Sequence, residues 1–247
     1  ILVIIFGALV AAGIPVLLIP GNHERSRLPY PLLAVHDGLH VFDRPRTVVV
    51  EARGVRVAFI GFPYVDGIRR GFPAVLAEAT GEARTADLRV LCMHQCVEGA
   101  TCGPGNFTFR FAPDVIRVKD LPRDVAVTLS GHIHRHQVLR PPGQAPVIYA
   151  GSVERTSFAE APETKGYVVL ELTTSGLGVA EFRPLPARPM VRHTVALHGA
   201  ADSSVPEEGA GSPDLPPVSG GEDPLQHRAF VFGEVRDSQI AIPEQRG

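Results

Sequence analysis

Tryptophan is absent from the 247 residues, methionine occurs twice, cysteine three times, and lysine only at Lys119 and Lys165. Cys92, Cys96 and Cys102 are too few and too clustered for a disulfide framework; they read as reduced thiols, which predicts a cytoplasmic protein. Charge of one sign is also lacking. A net charge of -2 gives no global attraction to nucleic acid, so a polyanion would need a local patch or bound metal. The excess of arginine, 22 residues against two lysines, is spread along the chain, and the skew carries no functional weight. With 45% of residues hydrophobic, the chain has enough apolar surface for a large core, which excludes general disorder.

No charged or polar side chain occurs before Pro20. Such a run approaches the length of a membrane span, about 20 residues. Gly13-Ile14-Pro15 argues against a span or a signal peptide, because Gly-x-Pro ends a helix. The prediction is a helix over Ile1–Ala12, a turn, and a buried strand over Val16–Ile19. Further strands are predicted at Thr47–Val50, Val55–Ile60, Arg89–Met93, Val125–Leu129, Val147–Tyr149 and Tyr167–Leu172, with a hairpin turn at Ala52-Arg53-Gly54. A second helix is predicted over Phe72–Glu82. This balance implies a layered α/β protein. Five Gly, five Pro, six acidic residues and no Lys or Arg make 199–226 a disordered linker, and Ala229–Val235 reads as a further strand.

Three predicted strands end in nitrogen or amide-oxygen ligands: Gly21-Asn22-His23-Glu24, His94, and Gly131-His132-Ile133-His134. The crevice beyond strand carboxyl ends is where α/β proteins build sites. The glycines before Asn22 and His132 are read as allowing sharp turns. In an extended segment His132 and His134 point to the same side, and the mixed N/O set suits Mn, Fe or Zn better than Mg or Ca.

In this order, Gly21-Asn22-His23-Glu24, Met93-His94 and Gly131-His132-Ile133-His134 resemble the last three motifs of the calcineurin-like metallophosphoesterases. Tyr149-Ala150-Gly151-Ser152-Val153-Glu154-Arg155 followed by Lys165-Gly166-Tyr167-Val168 is similar to the segment after the metal site in SbcD-type DNA repair exonucleases. The resemblance covers about residues 10 to 190. It implies an α/β sandwich of two sheets flanked by helices over 1–190, incomplete at its N-terminus, and part of a small α+β capping domain over 191–247. The family's upstream Asp-x-His and Gly-Asp motifs have no counterpart in residues 1–21, which contain no acidic residue. The expectation is a truncated sequence, inactive as it stands, or a degenerate homologue.

The resemblance further implies two divalent cations, with manganese expected and Fe or Zn also fitting, that activate water for in-line attack on a phosphodiester. Asn22, His94 and His132 would hold one metal and His134 would contribute to the other. His23 would face the scissile phosphate as the catalytic residue, with Glu24 orienting it. Arg135 and Arg155 read equally well as phosphate contacts or as salt-bridged surface residues, and His136 as a residue outside the metal set. The aromatic loop Gly99–Phe111 could stack on a base or simply pack. The implied partners are DNA, a coiled-coil ATPase of the SbcC type and a second copy of the chain, with no membrane. The alternatives are a small-molecule phosphomonoesterase or cyclic-nucleotide phosphodiesterase, and a non-catalytic DNA-binding scaffold.

Overall fold

The computed structural model describes residues 2–23, 37–81, 85–193 and 230–233. Glu24 and the 199–226 segment lie outside them. Two compact units divide the chain, residues 1–187 and 188–247.

The first unit is α/β. Helix α1 (Leu2–Ala11) is followed by β1 (Val16–Leu18), as the Gly13–Pro15 break requires, and β1 pairs in parallel with β2 (Leu39–Val41). Among the described residues, no helix is long and apolar enough to cross a membrane.

The main sheet has six strands in the order β11 (Gln137–Leu139), β12 (Val147–Tyr149), β10 (Val127–Ser130), β5 (Leu88–Met93), β4 (Val55–Gly61) and β3 (Arg46–Ala52). Its parallel centre is β4, β5, β10 and β12; β3 and β11 run antiparallel at the edges. The β3–β4 hairpin turns through Arg53 and Gly54, both at positive φ, the backbone that two-residue hairpin loops favour.

One face of this sheet packs on α2 (Ile68–Ala79), which buries Ile68, Phe72 and Ala79 from a single stripe. The helix begins four residues before the predicted start, so Pro73 falls inside it, at the loss of one backbone hydrogen bond. Four two-residue strands complete this side: β6 (Cys96–Val97) with β9 (Val115–Ile116), and β7 (Thr101–Cys102) with β8 (Phe107–Thr108). The opposite face carries the hairpin of β13 (Gly166–Thr173) and β14 (Gly176–Pro184). Val168, Leu170, Leu172 and Leu177 pack there on Val90, Val127 and Ile148, forming a sandwich of two sheets. Alternation of half-buried and exposed residues along β13 fits that one-sided packing. In the second unit β15 (Met190–His193) pairs in parallel with β16 (Phe230–Gly233), inside the predicted strand 229–235.

Candidate active site

Parallel strands deliver their carboxyl ends to one edge of the sheet, and the candidate residues follow those ends. His94 comes directly after β5, His132 two residues after β10, and Tyr64 three residues after β4. The segment after β1 reaches the same edge, because the Tyr64 amide donates to the Pro20 carbonyl at 2.9 Å.

His94 Nε2 and Asn22 Oδ1 face each other at 3.2 Å, and Asn22 Nδ2 lies 3.3 Å from His23 Nε2. The Asn22 amide is thus oriented with its oxygen toward His94 and its nitrogen toward His23. The His94 and His132 rings meet edge-on with centroids 5.3 Å apart, and Tyr64 covers both at 6.3 and 5.5 Å. Tyr64 was not among the residues singled out from sequence.

Burial is the main force on these imidazoles. It lowers His94 to a pKa of about 4, helped by His132, His134 and His23, and it lowers His132, with His134 adding to the effect and Asp114 opposing it. Both rings are therefore neutral at physiological pH, which is the form that ligates metal.

The glycine before His132 has a different role from the predicted one. His132 itself takes the positive φ, +77°, while Gly131 makes room for His94: a Cβ there would stand 2.6 Å from His94 Nδ1. The segment is not extended, yet His132 and His134 line the same hollow of about 240 Å³ with Cys102, Phe109 and Glu160. Beyond His94 the chain is pinned by buried polar contacts. Ser130 Oγ donates to the Gln95 carbonyl at 2.7 Å, Tyr149 OH donates to the same carbonyl at 3.0 Å, and the Gln95 side-chain amide donates to the Val65 carbonyl.

His134 Nδ1 lies 2.9 Å from Glu160 Oε1, and the wholly buried Lys165 ammonium lies 2.7 Å from Glu160 Oε2. Burial raises the Glu160 pKa, but hydrogen bonds from Lys165, His134 and Thr156 outweigh it and bring the carboxyl down to about 2. Neither Glu160 nor the Lys165 ammonium was identified as part of the site from sequence. Arg135 is engaged at Nε by Glu163, at Nη1 by Asn106 Oδ1 and at Nη2 by the Gly103 carbonyl. Arg155 Nη2 donates to the Glu163 carbonyl at 3.0 Å. His136 bonds the Tyr149 carbonyl and stacks on Phe182 at 4.2 Å, away from the cluster.

The donor set is of the kind that suits a divalent transition metal: an amide oxygen and neutral imidazoles. Among the described residues, no group of three or more His, Cys, Asp or Glu side chains is gathered closely enough to hold an ion. The three cysteines are free thiols, and burial pushes Cys92 and Cys96 up to about 12, which makes them poor ligands.

No protein-family model matches the chain, and no curated protein does. Similar solved structures include a putative 5′-nucleotidase from Staphylococcus aureus, at 18% identity and a TM-score of 0.45, covering 68% of this chain and 38% of that one. A hypothetical protein from Thermus thermophilus is similar at 15% identity and a TM-score of 0.44, covering 72% of this chain and 78% of the other. The NAD nucleotidase of Haemophilus influenzae is similar at 14% identity and a TM-score of 0.38, covering 72% and 40%. The chain thus spans about two fifths of the length of the two nucleotidase structures.

Proposed function

We propose that this chain belongs to a metal-dependent hydrolase of phosphate esters in the calcineurin-like metallophosphoesterase superfamily, with its site at the carboxyl ends of β1, β5 and β10. The observation that carries this reading is the meeting of residues 22, 94 and 132 at one edge, where burial keeps both imidazoles unprotonated. Asn22, His94 and His132 hold one divalent cation, and His134 serves a second, manganese being our first choice. When bound, such cations polarise a phosphoryl oxygen and make water nucleophilic near neutral pH.

The remaining chemistry belongs to the chain itself. His23 is exposed, with Nε2 held by the Asn22 amide, and it transfers a proton at the ester oxygen. Tyr64 covers the His94–His132 pair and limits the water that reaches it.

Linear DNA is the substrate we place first. The run Tyr149–Arg155 with Lys165–Val168, similar to the SbcD-type exonucleases, supplies part of the support behind His134. Exposed Phe107, edge-on to Phe109 at 5.2 Å, offers a face for a base near that wall. A coiled-coil ATPase and a second copy of the chain belong to this reading, as does a cytoplasmic setting in which the three thiols stay reduced. The small hollow lined by His132 and His134 favours a second reading, a compact phosphomonoester.

The test compares linear DNA, a nucleoside monophosphate and a small aryl phosphodiester as substrates of the full-length protein with Mn²⁺, beside His94→Ala. We expect metal-dependent cleavage of DNA that falls about a hundredfold or more in the variant. Cleavage of the monophosphate alone selects the second reading, and no cleavage of any of the three refutes the proposal.

A further inference from the structure

We propose that Lys165 and Glu160 are positioning residues: a buried clamp that fixes His134 as the tautomer protonated at Nδ1, leaving the Nε2 lone pair for a ligand. This inference rests on the reading of His134 as a member of the site.

Its starting point is a buried cation with no solvent contact. The Lys165 side chain is 0% exposed, and Nζ meets the His134 carbonyl at 3.0 Å, Glu160 Oε2 at 2.7 Å and Glu163 Oε2 at 3.0 Å. Three donors meet three acceptors, so the ammonium is fully used. A buried ion pair is seldom retained for stability alone, since an apolar replacement often serves as well. Here one ammonium touches both the backbone of His134 and the carboxylate that holds its ring. The result is a closed loop, from the His134 carbonyl through Lys165 and Glu160 back to Nδ1 of the same histidine.

The tautomer follows from counting hydrogens. Glu160 receives Lys165 and the Thr156 amide at Oε2, and the Thr156 hydroxyl, at 2.7 Å, with His134 Nδ1 at Oε1. An ionised carboxylate only accepts. The Thr156 hydroxyl has given its hydrogen to Glu160, so at 3.1 Å from Nδ1 it too can only accept. Both neighbours of Nδ1 therefore require a hydrogen on that nitrogen. In the neutral ring Nε2 then carries the lone pair, on the side of the ring away from Glu160.

The backbone is held from a second direction. Ser152 N–H donates to the same His134 carbonyl at 3.0 Å, and a Cβ on Gly151, whose φ is +85°, would stand 2.9 Å from both that carbonyl and the His136 amide nitrogen. The chain after β12 thus lies directly against the histidine segment. Supporting hydrogen bonds of this type on a metal-ligating histidine are worth about 10- to 100-fold in metal affinity.

The experiment reads the tautomer directly, from the ring-nitrogen NMR shifts of His134 in the full-length, metal-free protein at alkaline pH, where imidazoles are neutral. Glu160→Ala and Lys165→Met are compared with it, and Mn²⁺ affinity is measured in each. We expect a protonated Nδ1 in the wild type, a shift toward protonated Nε2 in Glu160→Ala, and about tenfold or greater weakening of Mn²⁺ binding. A wild-type His134 protonated at Nε2 overturns the proposal, and this measurement stands even if both variants fail to fold. An unchanged tautomer in a folded Glu160→Ala overturns it as well. If the wild-type tautomer is as stated and shifts in Glu160→Ala, but Mn²⁺ does not bind the wild type, the clamp is upheld and the phosphoesterase reading falls.

Discussion

Replacing Gly131 by alanine tests whether the convergence of strand ends is what makes the site. The added Cβ would lie 2.6 Å from His94 Nδ1 and 3.3 Å from Cε1, so the ring must retreat by roughly 1 Å to regain ordinary contact. Retreat is opposed on several sides. Tyr64 and His132 flank the ring, and the next residue is pinned by Ser130 and Tyr149 at its carbonyl and by Val65 through its side-chain amide. Overpacking against neighbours that cannot yield costs about 1–3 kcal/mol. The functional cost is larger in proportion, because a displacement of roughly 1 Å in a reacting constellation is worth about a hundredfold in rate.

Urea unfolding of the metal-free protein and Mn²⁺-dependent hydrolysis by the full-length protein are the two assays, with Gly105→Ala as the control. A Cβ at Gly105 meets nothing within 4 Å, so its stability should stay within about 0.5 kcal/mol of the wild type. If Gly131→Ala matches the control in stability and retains activity, His94 is not held where the geometry puts it, and the convergence of strand ends is not what makes the site.

Three further outcomes follow from the same contacts. Lys165→Met leaves Glu160 and Glu163 without their buried cation and should lower stability by about 3–5 kcal/mol in urea titrations. Acid should weaken the metal-free protein in two windows. His94 titrates near 4 when folded and 6.5 when unfolded, so the unfolded chain binds the extra proton and stability falls between about pH 6.5 and 4. After allowance for screening of a partly exposed ring, that loss is about 2 kcal/mol. Glu160, depressed from 4.5 to about 2, adds a second loss over that range, and the pH dependence of the urea midpoint should differ in slope between wild type and His94→Gln only in the first window. Arg135→Ala should cost about 1–3 kcal/mol by removing the partner of Glu163, Asn106 and the Gly103 carbonyl, while KM changes less than about twofold in steady-state kinetics.

What was legible in the sequence is what local chemistry dictates. Mainly apolar runs marked β5 and β12, because a parallel strand buried on both faces needs no regular polar alternation. The Arg53-Gly54 turn was readable because positive φ at two successive residues is a local demand. The α/β class and the meeting of Asn22 with His94 follow from the same logic, since parallel strands present all their carboxyl ends to one edge. β11 and β14 were not predicted: most of their residues are only half-buried or exposed, and each owes its extended form to a partner strand. The support around the site was hidden for a related reason. Tyr64 lies 30 residues from His94, and Glu160 and Lys165 lie 26 and 31 residues beyond His134. Nothing local distinguishes a solvated lysine from one enclosed by two carboxylates and a carbonyl; only the packing of the chain after β12 against the histidine segment makes that difference. Sequence therefore points to side chains at strand ends more readily than to the contacts that hold them in place. The supporting residues, Gly131, Tyr64, Gln95, Glu160 and Lys165, are where substitutions should alter the site without touching a proposed ligand.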